Sequence, residues 1–375
     1  CPYCGVGCAL TYHVNEDANR VVFAWGRQPS GNDGRLCVKG RYGFDYATHP
    51  HRLTKPLIRK EDHYPKQPLS DHMQGKGRRR GKRGVYRDYE KTLSAFREAT
   101  WEEALDLVAK KLLGIKDKYG PGAMAGFGSA KCSNEEAYLF QKLIRVAFGT
   151  NNVDHCTRLC HASSVAALLE TIGSGAVTTV YRDALNADVI LLTGSNATEN
   201  HPVASTFFKE AARKGSKLIV VNPHRPKIAN YGEYVRIKPG SDVSFYNAIM
   251  HVILEEGLED ETYIAEFTEN FDALKEVIGR YPPEVAAPIC GIGADRIRAI
   301  ARTIGSAKAM IVFWGMGISQ HVHGTDNARS LINLCLMTGN VGREGTGLHP
   351  LRGQNNVQGA SCLLYTSDAA DDTQF

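Results

Sequence analysis

From Thr100 onward the chain alternates short, unbroken apolar runs with longer stretches in which apolar residues recur every three or four positions, so strands are expected to alternate with helices. Val189–Thr193 and Leu218–Val221 contain almost nothing but apolar residues and read as strands buried on both faces. Shorter strands are expected at Ala123–Phe127, Tyr234–Ile237 and Met310–Trp314. The helical periodicity predicts helices from Trp101 to about Tyr119, from Ser133 to about Phe148, from near Ser163, from about Val203 to Lys214, from about Ser241 to Glu256 and from about Asn327 to Met337. Thr100-Trp101-Glu102-Glu103 has the form of a capping box, with Thr100 accepting from the Glu103 amide and Glu103 reaching back, and Pro121-Gly122 stops that helix. The pattern as a whole predicts an α/β fold with doubly wound parallel sheets, divided into an α/β domain over 100–306 and part of a second α/β domain over 307–361. Residues 362–375 carry no periodicity and look non-native.

Composition adds little to this. The chain has 375 residues, 43% hydrophobic and 23% charged, as in an ordinary globular protein. No apolar run approaches the roughly 20 residues needed to span a bilayer, so no membrane span is expected. The net charge of +5 is local: Gly75–Gly84 alone carries six basic residues, and without them the balance is −1. That run is interleaved with glycine and lacks aromatic residues, which excludes a nucleic-acid partner and reads as a basic, flexible surface insertion over 61–99. The sharper reading is a docking patch for an acidic partner.

The first 60 residues carry the clearest chemistry. Cys1, Cys4 and Cys8 form a C-x2-C-x3-C, and a fourth thiol follows in Cys37-Val38-Lys39-Gly40. Three soft ligands on a loop made tight by Gly5 and Gly7, with a fourth from a later segment, are what a 4Fe-4S cluster requires, and residues 1–60 are expected to form its domain. Structural zinc is the competing reading, but such modules more often pair two C-x2-C knuckles. Ten cysteines scattered over the chain fit a reduced interior better than a disulfide framework.

A second concentration lies at Asp154–Ser164, with Cys156, Cys160, His155, His161 and Arg158 placed just before a helix. A helix N-terminus lowers a thiol pKa, so Cys160 could be held as a thiolate beside His161; taken alone, these residues read more readily as a buried inert cysteine beside a solvent-facing histidine. Strand ends repeat small polar residues in Gly194-Ser195-Asn196, Asn222-Pro223 and Gly240-Ser241-Asp242, where ligands of doubly wound sheets bind. The dinucleotide fingerprint is absent, because Gly342–Gly347 has the wrong spacing, so no nicotinamide site is expected.

Taken together, the cluster cysteines, Cys37-Val38-Lys39-Gly40, Cys160-His161, Gly194-Ser195-Asn196 and Leu351-Arg352-Gly353-Gln354-Asn355-Asn356-Val357-Gln358-Gly359 resemble the catalytic subunit of a molybdenum or tungsten formate dehydrogenase of the molybdopterin oxidoreductase superfamily. The resemblance covers Cys1 to Ser361 and implies that fold in incomplete form, since such subunits continue into a C-terminal barrel; with no initiator Met and a cluster motif that begins at residue 1, an upstream segment is also expected. It implies Cys160 as ligand to molybdenum or tungsten carried by two molybdopterin guanine dinucleotides. His161 would stand beside the substrate as positioning group or proton acceptor, and Arg352 would hold formate through its planar donor fork. Lys39 would carry electron transfer between cluster and pterin. The dinucleotides would be bound by Lys39, Lys131, Gly194, Ser195, Asn196, Asn222, Pro223, His224, Gly240, Ser241, Asp242, Met316, Gln320 and Gln354.

The implied reaction is oxidation of formate to CO2, with C–H cleavage at a sulfido ligand of the metal and electrons leaving singly through the cluster to an iron–sulfur or flavin/NAD subunit. The implied compartment is the cytoplasm. Rival readings are another molybdopterin enzyme such as nitrate reductase, and a non-catalytic iron–sulfur electron-transfer subunit of the kind found in respiratory complex I.

Overall fold

Apolar runs that carry no polar face need cover on both sides, and in the computed structural model, which describes residues 1–63 and 93–365, two of them form the middle of a parallel sheet. The chain divides into two compact units, Cys1–Asp45 with Gly126–Lys142 and Val153–Phe375, and Tyr46–Ala125 with Leu143–Asn152.

The first unit opens with an antiparallel hairpin of β1 (Leu10–Asn15) and β2 (Arg20–Gly26). The second unit holds the antiparallel pair β3 (Leu57–Arg59) and β4 (Phe96–Glu98). Back in the first unit, β5 (Gly126–Gly128) and β6 (Val153–His155) form a short parallel pair. Its main sheet consists of β7 (Val189–Thr193), β8 (Lys217–Val221), β9 (Glu233–Val235), β10 (Met310–Trp314) and β11 (Gly347–Pro350). The spatial order is β11-β10-β7-β8-β9, and every neighbouring pair is parallel.

Strand alternation sends successive residues to opposite faces. Val189, Leu191, Ile219, Val221, Met310, Val312 and Trp314 share one core with the helices Asp242–Glu255, Ala294–Gly305 and Gly324–Met337. Ile190, Leu192, Leu218, Val220, Ile311 and Phe313 share the other with Phe207 and Phe208 of the helix Pro202–Arg213, with Tyr181, and with Val6 and Cys8 of the N-terminal loop. The cysteine-rich segment is thereby packed on one face of the sheet.

Several expectations shift. Met310–Trp314 was expected to open a second α/β domain at 307; instead β10 lies inside the sheet, with Met310 opposite Val189 and Ile311 opposite Gly347. The boundary at 306 is therefore corrected, because five helices separate β9 from β10 in sequence and local periodicity says nothing about pairing across them. The strand expected at Ala123–Phe127 is a 3-10 turn, Pro121–Ala123, followed by β5, and the helix expected to about Phe148 is α-helical over Asn134–Lys142 and π-helical over Leu143–Ala147. The helix Val357–Tyr365 runs through Cys362, so the stretch that shows no periodicity begins inside a helix.

In the second unit the helix Trp101–Tyr119 starts at Thr100, whose Oγ1 accepts from the Glu103 amide at 3.2 Å. Only half of the expected capping box forms, because the Glu103 carboxylate pairs with Arg97 instead. This helix belongs to that unit and not to the main sheet. The basic run Gly75–Gly84 lies outside the described residues.

Candidate active site and cluster site

The N-terminal loop is bent by Gly7, which sits in the left-handed region at φ +68, and the Cys1 amino group donates to Cys8 O at 2.8 Å. Cys37 follows β2 and caps a short helix, Val38–Tyr42. The thiols of Cys1, Cys4, Cys8 and Cys37 line one cavity whose remaining walls include Val6, Leu36, Pro202 and Val203. Burial, with Cys4 and Cys37 nearby, pushes Cys8 up to about 11. Four soft donors crowded into an apolar cavity fit a group that supplies several positive charges. Among the described residues no three His, Cys, Asp or Glu side chains converge on one ion position, so the thiols surround a space rather than a point.

Lys39 lies on the short helix, exposed, with Nζ 6.0 Å from the Tyr3 ring. Lys131 reaches the same residue from β5's side, donating from Nζ to Tyr3 O at 3.3 Å. Both lysines thus stand at the cysteine loop.

Cys160 ends a turn that follows β6 and stands directly before the helix Ala162–Ile172. Its Sγ is 3.3 Å from Met316 Sδ and 4.0 Å from Gln354 Oε1. The expected lowering of its pKa does not occur. Burial raises it, the nearby Cys156 raises it further, and the charge of Arg352 with the amides of Gly353 and His161 offsets only part.

His161 is fully buried, not facing solvent. Its Nε2 lies 2.9 Å from Leu351 O, which can only accept, so Nε2 carries the proton and Nδ1 accepts from the Ser164 or Ser319 hydroxyl at 3.3 or 3.2 Å. Trp314 Nε1 donates to Ser164 Oγ at 2.8 Å and completes this network. Burial and then the Arg352 charge push His161 down to about 3, which keeps the ring neutral. With both nitrogens engaged, the His161 ring has no free acceptor in this arrangement.

Arg352 is 3% exposed and follows β11. One Nη donates to Gly175 O at 2.6 Å, whereas Nε has no partner among the described residues. Burial pushes the guanidinium down to about 10, so it stays charged at neutral pH. Its backbone is held at three consecutive carbonyls: Leu351 O by His161, Arg352 O by His201 Nε2 at 2.7 Å, and Gly353 O by the Gly5 amide at 3.0 Å. A Cβ on Gly5 would stand 2.1 Å from Arg352 O, so only glycine lets the cysteine loop approach.

The other expected cofactor residues lie along the carboxyl ends of the strands. Gly194, at φ +58, stands where an added Cβ would meet Gly317 C at 2.8 Å, and Gly317 N donates to Gly194 O at 2.9 Å. Ser195 is buried, Asn222 Nδ2 donates to its carbonyl at 3.3 Å, and Asn196 Oδ1 is buried without a partner among the described residues. Pro223 is half-buried and His224 exposed beyond them. Gly240 is exposed at φ +81 and lines a cavity of about 770 Å³ with Asn247 and Asn270. Ser241 spends its hydroxyl on Lys238 O at 2.7 Å, and burial raises the carboxyl pKa of Asp242 against the opposing effect of His321. Gln320 donates to Leu159 O and so braces the turn before Cys160.

Met316, Gln354, Gly353 and Arg352 are therefore brought to Cys160, whereas Gly240, Ser241 and Asp242 lie at the end of β9 on the far side of β8. Sequence reasoning missed Tyr181, His201 and Gly175. The one available signal was His201 directly before Pro202, at the start of a helix following a ligand-type strand end. Unpartnered buried atoms of Arg352, His201, Tyr181, Asn196 and Asn355 fit a bound group rich in hydrogen-bonding positions.

A parallel sheet with polar residues at its strand ends, a half-buried cysteine held against the residues that follow β10 and β11, and a four-thiol loop packed on its face define a cofactor-bearing redox protein of the α/β class. Residues 52–373 match the molybdopterin oxidoreductase family and residues 1–49 its Fe4S4 domain, and the chain belongs to that family. The cofactors expected from the sequence, a 4Fe-4S cluster and a molybdopterin, are those of the matched domains. The chain is 40% identical over 361 residues to the F420-dependent formate dehydrogenase subunit alpha of Methanocaldococcus jannaschii, covering 96% of this chain and 48% of that one. To formate dehydrogenase H of Escherichia coli it is 36% identical over 381 residues, covering 100% and 49%. The chain thus spans about half the length of these curated relatives. Acetylene hydratase from Pelobacter acetylenicus shares the fold, with a TM-score of 0.72 at 21% identity over 92% of this chain and 44% of that one. No helix among the described residues is long and apolar enough to cross a membrane.

Proposed function

We propose that this chain is the cluster- and pterin-binding part of a formate dehydrogenase catalytic subunit, which converts HCOO⁻ to CO2, one proton and two electrons. The observation that carries this reading is Arg352: a buried, charged guanidinium beside Cys160 with its Nε unpartnered among the described residues. A small carboxylate is the ligand such a fork accepts, and exclusion of water strengthens the pairing.

Molybdenum or tungsten, bound by Cys160 and two molybdopterin guanine dinucleotides, would supply the two-electron acceptor for the formate C–H bond, and the 4Fe-4S cluster held by Cys1, Cys4, Cys8 and Cys37 would pass the electrons on singly. Arg352 binds and orients the anion. Cys160 offers its sulfur between Met316 and Gln354. His161, neutral and fixed at both nitrogens, holds Leu351 and through it the arginine. Lys39 and Lys131 stand at Tyr3 beside the cysteine loop, where a positive charge favours an electron path toward the cluster. The dinucleotides would lie along the strand ends from Gly194 to Asp242. The electrons would go to an iron–sulfur or flavin/NAD subunit, in the cytoplasm.

In the holoenzyme, Arg352→Ala should raise the formate KM about 100-fold, as for a lost bidentate charged pair, while iron and pterin contents stay normal. Arg352→Lys should recover only part of the loss, since lysine offers a point charge. An unaltered KM in the alanine variant removes Arg352 from the substrate site.

A further inference from the structure

We infer that His201 is a positioning residue for Arg352, holding the arginine's carbonyl through its Nε2–H and thereby fixing where the guanidinium stands; this rests on the reading of Arg352 as the formate site. His201 is 4% exposed and lies at the start of the helix whose Pro202 and Val203 wall the cysteine cavity. Its own backbone is locked on both sides. The His201 amide donates to Ala197 O at 2.9 Å, its carbonyl accepts from the Ser205 amide at 2.9 Å, and Pro202 restricts the peptide that precedes it. The ring therefore has a fixed origin.

At its far end Nε2 is 2.7 Å from Arg352 O. A carbonyl only accepts, so Nε2 carries the proton, and Nδ1 holds a buried lone pair with no partner among the described residues. Burial and the charge of Lys39 keep the ring from protonating, against the raising effect of the Arg352 carbonyl. The same carbonyl is confined from another direction by Gly5, whose Cα leaves no room for a methyl group. Leu351 N donates to Trp314 O at 2.7 Å, and His161 takes the preceding carbonyl. The guanidinium is tied separately through its Nη to Gly175 O, and the bond from His201 is the one hydrogen bond among these that ends on the arginine's own carbonyl, so its loss loosens the peptide that carries the side chain. A shift of about 1 Å at a binding group is enough to cost one to two orders of magnitude.

The test compares His201→Gln, whose amide can donate at the reach of Nε2, with His201→Met, which fills similar volume and donates nothing. In the holoenzyme, KM and kcat for formate, a calorimetric Kd for formate, and iron and pterin contents are measured together. His201→Met should raise KM and Kd about tenfold or more, with kcat within about threefold of the natural value and with normal cofactor contents, whereas His201→Gln should stay within about threefold throughout. Native formate binding in His201→Met overturns the inference, as does equal loss in both variants, which would make the ring's shape the requirement. If His201→Met does not accumulate as holoenzyme, His201→Asn replaces it: its shorter amide should weaken binding where His201→Gln does not, and equal behaviour of the two overturns the inference. The two readings separate through Arg352→Ala. If that variant binds formate normally, the substrate assignment falls; if it loses binding while His201→Met keeps it, only the role of His201 falls.

Discussion

The cysteine cavity and the Cys160 site differ in how far along the chain their parts come from. Cys1, Cys4 and Cys8 share one loop, and Cys37 follows within a single hairpin. Cys160 meets Met316 from 156 residues away and Gln354 from 194. A site of the first kind is written in spacing, because a short loop allows few arrangements of its ligands. A site of the second kind exists only once the sheet has brought the ends of β10 and β11 to the turn after β6. The two are nonetheless physically joined, since the Gly5 amide of the cysteine loop holds Gly353 O.

The sharpest way to break this contrast is to remove one thiol from the local site. Cys37→Ser should abolish the iron–sulfur absorbance of anaerobically purified holoenzyme while pterin content is retained, because the distant site draws nothing from Cys37. Unchanged absorbance would return the zinc reading.

The distant site should instead show itself in pH-dependent stability. His349 is buried, donates from Nδ1 to Thr179 O at 2.9 Å, and is pushed down to about 3 by burial. Since the unfolded ring titrates near 6.5, the unfolded chain binds more protons between these values. Stability is full above about pH 6.5 and falls as the pH drops toward 3, by about 3 kcal/mol at pH 4 from this ring. Urea midpoints recorded across that range for the natural protein and His349→Gln should diverge, with the variant flatter; parallel curves would show that His349 does not titrate differently on folding.

The smallest effect is expected from Trp314→Phe. It removes the donor to Ser164 Oγ and should cost about 1–2 kcal/mol in urea unfolding, with iron content untouched. A cost confined to the cluster, or none at all, would contradict the separation of the two networks.

The helix Trp101–Tyr119 and the helix Asp242–Glu255 show how far pattern reading reached. Both were legible as helices, yet the first buries no residue and the second buries nine. Periodicity names a face but not what covers it. The strand ends at Gly194-Ser195-Asn196 and Asn222 were legible because small polar residues after an apolar run have few other uses, while Tyr181 and Gly175 were invisible, since nothing around them in sequence points to Arg352. Cys160 was misjudged in its acidity for a related reason: the amides beside it are local and readable, but the burial that outweighs them is supplied by distant segments.

The sequence by itself determined the strands Val189–Thr193 and Met310–Trp314, helices such as Trp101–Tyr119 and Asp242–Glu255, the four-thiol spacing and the small polar residues after the strands, because turn chemistry and periodic burial act over a few positions. The tertiary structure alone decided that β10 lies inside one sheet, that His161 and His349 are neutral, and that three successive carbonyls around Arg352 are tied down. Strand order, desolvation and those ties all depend on groups more than a hundred residues apart, whose meeting no local pattern records.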